Sequence, residues 1–159
     1  MKEILDKLSS YNLFNYLFPG ILFTIFAEEI THYSFIQPDL IIGAFLYYFI
    51  GLVVSRFGSL VIEPFFKKVG LLKFADYEEF IAAAKKDSKI EVLSEANNMY
   101  RTLSSVFILL LILKIYELIE ARVQILSVWD PYILVVLLLV IFICSYKKQT
   151  KYIFKRITK

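Results

Sequence analysis

The 159-residue chain holds one cysteine, Cys144, and one histidine, His32. A single thiol excludes a disulfide framework within the chain, and one His with one Cys cannot supply a multi-ligand Cys/His metal site. Glycines and prolines are few, five and four, and no Gly-rich phosphate loop is among them. An intramembrane enzyme needs a nucleophile beside a base, or paired carboxylates at depth. Neither occurs: Glu28 and Glu29 sit near His32 in a short outer loop. The chain is therefore read as a non-enzyme with no cofactor and no metal.

What the chain has in abundance is apolar residues, 58% of the total, with a mean hydropathy of +0.64. They are bunched rather than spread, which points to an integral membrane protein. A helix needs roughly 20 apolar residues to cross a hydrocarbon core of about 30 Å. Four segments qualify once flanking Tyr, Trp and Lys are counted. They predict transmembrane helices at about 11–27, 40–62, 100–120 and 131–147 in a single all-α membrane domain, 1–159. The first is read as a span rather than a cleaved signal, because Asn12, Asn15 and Pro19 interrupt it. A secondary transporter normally shows internal repeats and more spans.

Lys and Arg number two before the first span, none in 28–39, seven in 63–102, one in 120–131 and six from 147 onward. The positive-inside rule then places both termini and the long middle loop in the cytoplasm of a multi-pass inner-membrane protein. The 63–99 insertion is predicted to be helical. "DYEE" (76–79) and "SKIE" (88–91) read as capping boxes, giving one helix over Tyr77 to Lys86 and a second that runs without Gly or Pro into the third span. Glu91, Glu95, Asn98, Thr102 and Ser105 share a stripe on it, either a solvated face or a seam for a subunit or soluble partner. At the fourth span Asp130 is the expected cap, with Pro131 in the first turn and Trp129 at the interface. That span is apolar all round and is assigned to the outside of the bundle.

The tail from 147 to 159 carries Lys147, Lys148, Lys151, Lys155, Arg156 and Lys159. It reads as an amphipathic basic helix against anionic lipid heads. Direct nucleic-acid binding is not expected, because topology already accounts for these charges. In the second span Gly43, Gly51, Ser55 and Ser59 lie on one line at helical spacing, a face that lets another helix approach closely, in the same chain or in another copy. A homo-oligomer formed through this helix is the expectation.

Arg56 and Lys114 lie within spans. Lys114 has Glu117 one turn on, near the outer surface, and a local pair is expected. Arg56 is about 24 Å along its helix from Leu40, and its side chain starts out aimed at the outer side, away from the nearest water. Three readings stand: a buried structural clamp, snorkelling to the interface, and a water-lined or regulatory site. The candidate inner polar cluster is Asn12, Asn15, Arg56, Ser59, Glu63 and Arg101, with Ser104 and Ser105 at similar depth.

"YNLFNYLFPG" (11–20), "FIGLVVSRFGSLVIEP" (49–64) and "SEANNMYRTLSS" (94–105), in this order and with basic inner loops, resemble small four-span proteins of prokaryotic antiphage loci. Examples are the membrane component of Kiwa systems and the membrane accessories of CRISPR type VI-B and RADAR loci. The likeness is one of architecture over the whole chain. It implies an oligomeric accessory or effector in antiviral defence that senses or perturbs the membrane with a cytosolic nuclease, deaminase or nucleotide-sensing partner, docked through 63–102. The alternatives are a membrane anchor for a soluble enzyme and a small channel or transporter subunit. No Arg is followed four to six residues later by His, so the ribonuclease motif of some such accessories is absent.

Overall fold

The computed structural model describes residues 12–157; the start of the first predicted span at Tyr11 and the tail residue Lys159 lie outside them. The described residues form five helices and no strand: α1 (Leu13–Ile30), α2 (Leu40–Lys68), α3 (Tyr77–Lys86), α4 (Lys89–Glu120) and α5 (Ile125–Ile157). All but α3 are long and apolar enough to cross a membrane, so the chain is a four-span membrane protein. At about 1.5 Å per residue, α4 and α5 reach close to 50 Å and outrun the hydrocarbon core. The end of the bundle bearing the 69–76 turn and the α5 terminus is called the basic end below; the end bearing loops 31–39 and 121–124 is the acidic end.

The core is formed by α1, α2 and α4. Its buried side chains are polar almost as often as apolar: Asn15, Thr24, Ser55, Thr102 and Ser105 beside Pro19, Ala27, Val54, Ile62, Val106 and Leu110. In lipid, where helices gain nothing by burying Leu against Leu, small side chains and close backbones do the packing. Gly20 and Gly51 are the point of closest approach. A Cβ on Gly51 would stand 1.7 Å from the Tyr16 carbonyl oxygen, and one on Gly20 would stand 1.7 Å from that of Tyr47.

That contact settles who faces the small-residue stripe. Gly51 meets α1 and Ser55 meets Thr102 of α4, both within one chain, while Gly43 is covered by the ring of Tyr47 on its own helix. The face expected to join copies is filled internally. The polar stripe on α4 divides similarly: Thr102 and Ser105 are buried, Ser105 against Gly58, whereas Glu91 and Glu95 are exposed.

Two prolines shape the basic end. Each follows a widened turn closed by a bond five residues back: Phe18 N–H to the Leu13 carbonyl before Pro19, and Glu63 N–H to the Gly58 carbonyl before Pro64. Proline has no N–H to donate, and the wider turn makes room for its ring. The α2 helix ends at Lys68 and the chain turns at Gly70, whose φ of 78° favours glycine, with Gly70 N–H on Lys67 O at 3.1 Å and Leu71 N–H on Phe66 O at 3.0 Å.

The expected caps are corrected. Neither Asp76 nor Ser88 caps through its side chain; Asp87 Oδ1 accepts from Lys89 N–H at 2.9 Å instead. Asp39, not singled out above, caps α2 by accepting from Ile41 and Ile42 N–H, both at 2.9 Å. The α5 helix starts at Ile125, so Pro131 lies inside it and Asp130 accepts from the Tyr116 hydroxyl rather than capping. The tight turn over 121–124 hands the chain straight from α4 to α5, with Val123 N–H on Ile119 O and Leu126 N–H on Val123 O, both at 2.9 Å, leaving no extended residue at 130 to act as a cap.

No residue of α5 is fully buried, as its apolar surface predicts. Half-covered Ile133, Leu138, Ile141, Phe142, Ser145 and Lys148 mark the stripe that docks on the core. Phe142 meets Phe49 of α2 with ring centroids 6.0 Å apart. Beyond the span, Tyr152 of α5 meets Tyr77 of α3 at 6.3 Å, and α3 also packs on α4, so the basic end carries a three-helix platform.

Candidate functional site

The site assembles where the two widened turns lie. In the α2 turn Glu63 bonds to Gly58, and the next residue in that pattern would donate to Ser59 O. That residue is Pro64. The freed carbonyl is taken from another helix: Lys148 Nζ of α5 donates to Ser59 O and to Ser59 Oγ, both at 2.7 Å. Lys148 was expected in the lipid-binding tail; it is half-covered and turned into the protein, while Lys147, Lys151, Lys155 and Arg156 are exposed. The α5 helix, although it lies on the outside of the bundle, thus contributes a polar group to the site.

Arg56, one turn before Ser59 on α2, donates from Nη2 to the Tyr16 hydroxyl of α1 at 3.2 Å. Its Nε is buried without a hydrogen-bond partner. Glu63 is the cluster's carboxylate, and both oxygens are occupied: Oε1 by Lys67 at 3.1 Å and Oε2 by Arg101 at 2.9 Å. Of the sequence-predicted cluster, then, Glu63 and Arg101 pair directly, Ser59 meets Lys148, and Arg56 meets Tyr16. Asn15 is buried on α1, and Asn12 half-covered one turn earlier. Ser105 donates to the Arg101 carbonyl at 2.7 Å, while the hydrogen bond from Arg56 Nη2 goes to Tyr16.

Between α2 and α5 these groups line a small open crevice: Arg56, Ser59 and Leu60 on one wall, Ser145, Lys148, Gln149 and Tyr152 on the other. It has room for about two waters. Its lining contains two cations and no carboxylate.

A second polar cluster, at the acidic end, was only partly legible. Lys114 pairs with Glu117 Oε2 as expected. The other oxygen, Oε1, accepts from His32 N–H at 2.7 Å and lies 2.8 Å from His32 Nδ1. The Tyr33 hydroxyl donates to Glu120 Oε2. Burial and the Glu120 carboxylate together hold the Tyr33 phenol above its ordinary range. With Tyr116 on Asp130, these contacts tie loop 31–39 and the start of α5 to the end of α4. Tyr16, Tyr33 and Tyr116 were the residues missed, and Lys148 was assigned to the tail without its partner Ser59, since nothing in a tyrosine's or lysine's neighbours along the chain announces a partner on another helix.

No protein family, no curated protein and no solved structure matches the chain.

Proposed function

We propose that the protein is a membrane-embedded accessory that holds a cytosolic protein partner at the inner leaflet through its basic-end platform. The observation that carries this is the inner part of α4. Val92 and Leu93 are about two-thirds exposed, on a helix that continues to Glu120. Leu93 lies about 40 Å along that helix from its acidic end, roughly 10 Å past a hydrocarbon core of about 30 Å. Neighbouring apolar side chains exposed at that distance face water rather than lipid tails, and α3 already covers another side of the helix. Exposed apolar side chains flanked by polar ones, here Glu91 and Glu95, fit a protein-docking surface.

The charge distribution supports an orientation with this platform in the cytoplasm. The likeness to antiphage membrane accessories suggests the setting, defence against infection together with a soluble effector. Copies that assemble must use a surface other than the Gly51 face, which is filled within one chain.

The test is a plaquing assay in the native host with the gene deleted, then restored as wild type or as Val92→Glu/Leu93→Glu. Deletion is expected to raise plaquing at least about tenfold, and the double variant, present in the membrane at wild-type level, to leave it raised. Unchanged plaquing on deletion would sink the defence role. Full rescue by the double variant would sink the docking role of α4.

A further inference from the structure

The crevice between α2 and α5 has more positive charge than the described residues answer. Lys148 lies within electrostatic reach of Arg56, Arg101 and Lys67, and of the Glu63 carboxylate, and no carboxylate lines the crevice itself. Both oxygens of Glu63 are held on the far side by Lys67 and Arg101. Four cations around one carboxylate, partly withdrawn from water, repel one another unless an anion joins them.

The unused hydrogen-bonding groups point the same way. Arg56 Nε and Ser145 Oγ are buried and without a hydrogen-bond partner among the described residues, and both residues line the crevice. Lys148 uses two of its three N–H donors on Ser59, and Gln149 and Tyr152 add further donors to the rim. A guanidinium edge, an ammonium and a hydroxyl around a small opening match the oxygens of one phosphate. A carboxylate ligand would use fewer of these donors.

Depth supplies the source. Arg56 and Ser59 lie about 24 and 28 Å along α2 from Leu40, and Lys148 lies about 24 Å along α5 from Tyr132. Both walls therefore reach the level where a core of about 30 Å gives way to headgroups. We infer that the crevice formed by Arg56, Ser145 and Lys148 binds one phosphate group, carried by an anionic phospholipid of the adjoining leaflet. The inference rests on the four helices spanning a bilayer and not on the partner reading.

The experiment uses the purified full chain in detergent. Thermal unfolding is followed by circular dichroism while phosphatidylglycerol, phosphatidylcholine, or inorganic phosphate at matched ionic strength is added, and native mass spectrometry counts retained lipids. Phosphatidylglycerol is expected to raise the Tm saturably with one lipid retained, and phosphatidylcholine to do neither. Arg56→Gln and Lys148→Gln should each weaken the effect about tenfold or more, the loss of one charge-assisted hydrogen bond, and Lys86→Gln on α3 should not.

Saturation by inorganic phosphate that also displaces the lipid would support the phosphate site and assign it to a soluble phosphate. Equal response to the two lipids would overturn the proposal. So would a loss in Lys151→Gln/Lys155→Gln as large as in Lys148→Gln, which would make the binding diffuse attraction to the tail. Should Arg56→Gln fail to fold, Ser145→Ala decides: it should keep the Tm measured in phosphatidylcholine and lose affinity for phosphatidylglycerol. Release of the chain from membranes by alkaline carbonate would instead contradict the spanning helices themselves.

Discussion

Individual residues carry this fold because its core is small and closely spaced. Gly43 and Gly51 look alike in the sequence, both on the same stripe of α2, yet they predict opposite results. A methyl on Gly51 would collide with the Tyr16 backbone carbonyl at 1.7 Å, which no side-chain rotation relieves. The nearest atoms to a methyl on Gly43 belong to the Tyr47 side chain, at 3.3 Å. Gly51→Ala and Gly20→Ala should therefore each cost about 3 kcal/mol or more, at the upper end of overpacking, and Gly43→Ala under about 1 kcal/mol. Equilibrium unfolding in mixed detergent micelles would measure all three. Equal costs would mean that α1 and α2 do not meet at these glycines.

Tyr33 permits a second residue-scale test. Its phenol, held above its ordinary value of about 10 by burial and by Glu120, keeps its proton more tightly folded than unfolded. The sign follows: this contribution is intact below the unfolded value and is lost as pH rises through and beyond it. Tyr33→Phe, which cannot ionise, should show a shallower fall in Tm above about pH 10 than wild type. Parallel curves would remove Tyr33 from the clasp on Glu120.

At the scale of elements, much was legible in advance. Four apolar runs announced four spans, and Tyr77 to Lys86, read as a helix from the "DYEE" pattern, is one although Asp76 makes no side-chain cap bond. Caps were not legible: a capping side chain needs an extended backbone, and Ser88 is already helical, while Asp76 is extended and still makes no side-chain cap bond. The small-residue face was visible but its occupant was not, because small residues permit close approach without specifying to whom. Lys148 was indistinguishable from its basic neighbours: only the rotation of α5, fixed by Ile141, Phe142 and Ser145, turns it inward. The link from Pro64 to Lys148 could not be seen at all, because it depends on the widened turn that leaves Ser59 O without a backbone donor. It predicts a coupling. In Pro64→Ala the new N–H competes for the Ser59 carbonyl, so Lys148→Gln should cost less stability in that background than in wild type. A double-mutant cycle measures the difference, expected at about 0.5 kcal/mol or more for groups in direct contact; strictly additive costs would break the proposed link.

For the whole molecule, the consequence is two layers of unequal strength. The helices α1, α2 and α4 interlock through buried glycines, hydroxyls and the Glu63–Arg101 pair. The α5 helix buries no residue, and among its contacts are four named ones spread along its length: Asp130 with Tyr116, Phe142 with Phe49, Lys148 with Ser59, and Tyr152 with Tyr77. Two are polar latches, one toward each end of the span, and unlike apolar contacts against lipid they have no equivalent in the hydrocarbon. Removing both with Asp130→Ala/Lys148→Met should let α5 separate while the other three helices stay packed. Spin-label distances would then broaden between α2 and α5 but not between α1 and α2. Broadening of both pairs together would mean that the four helices form one cooperative unit, and that α5 supports the core rather than resting on it.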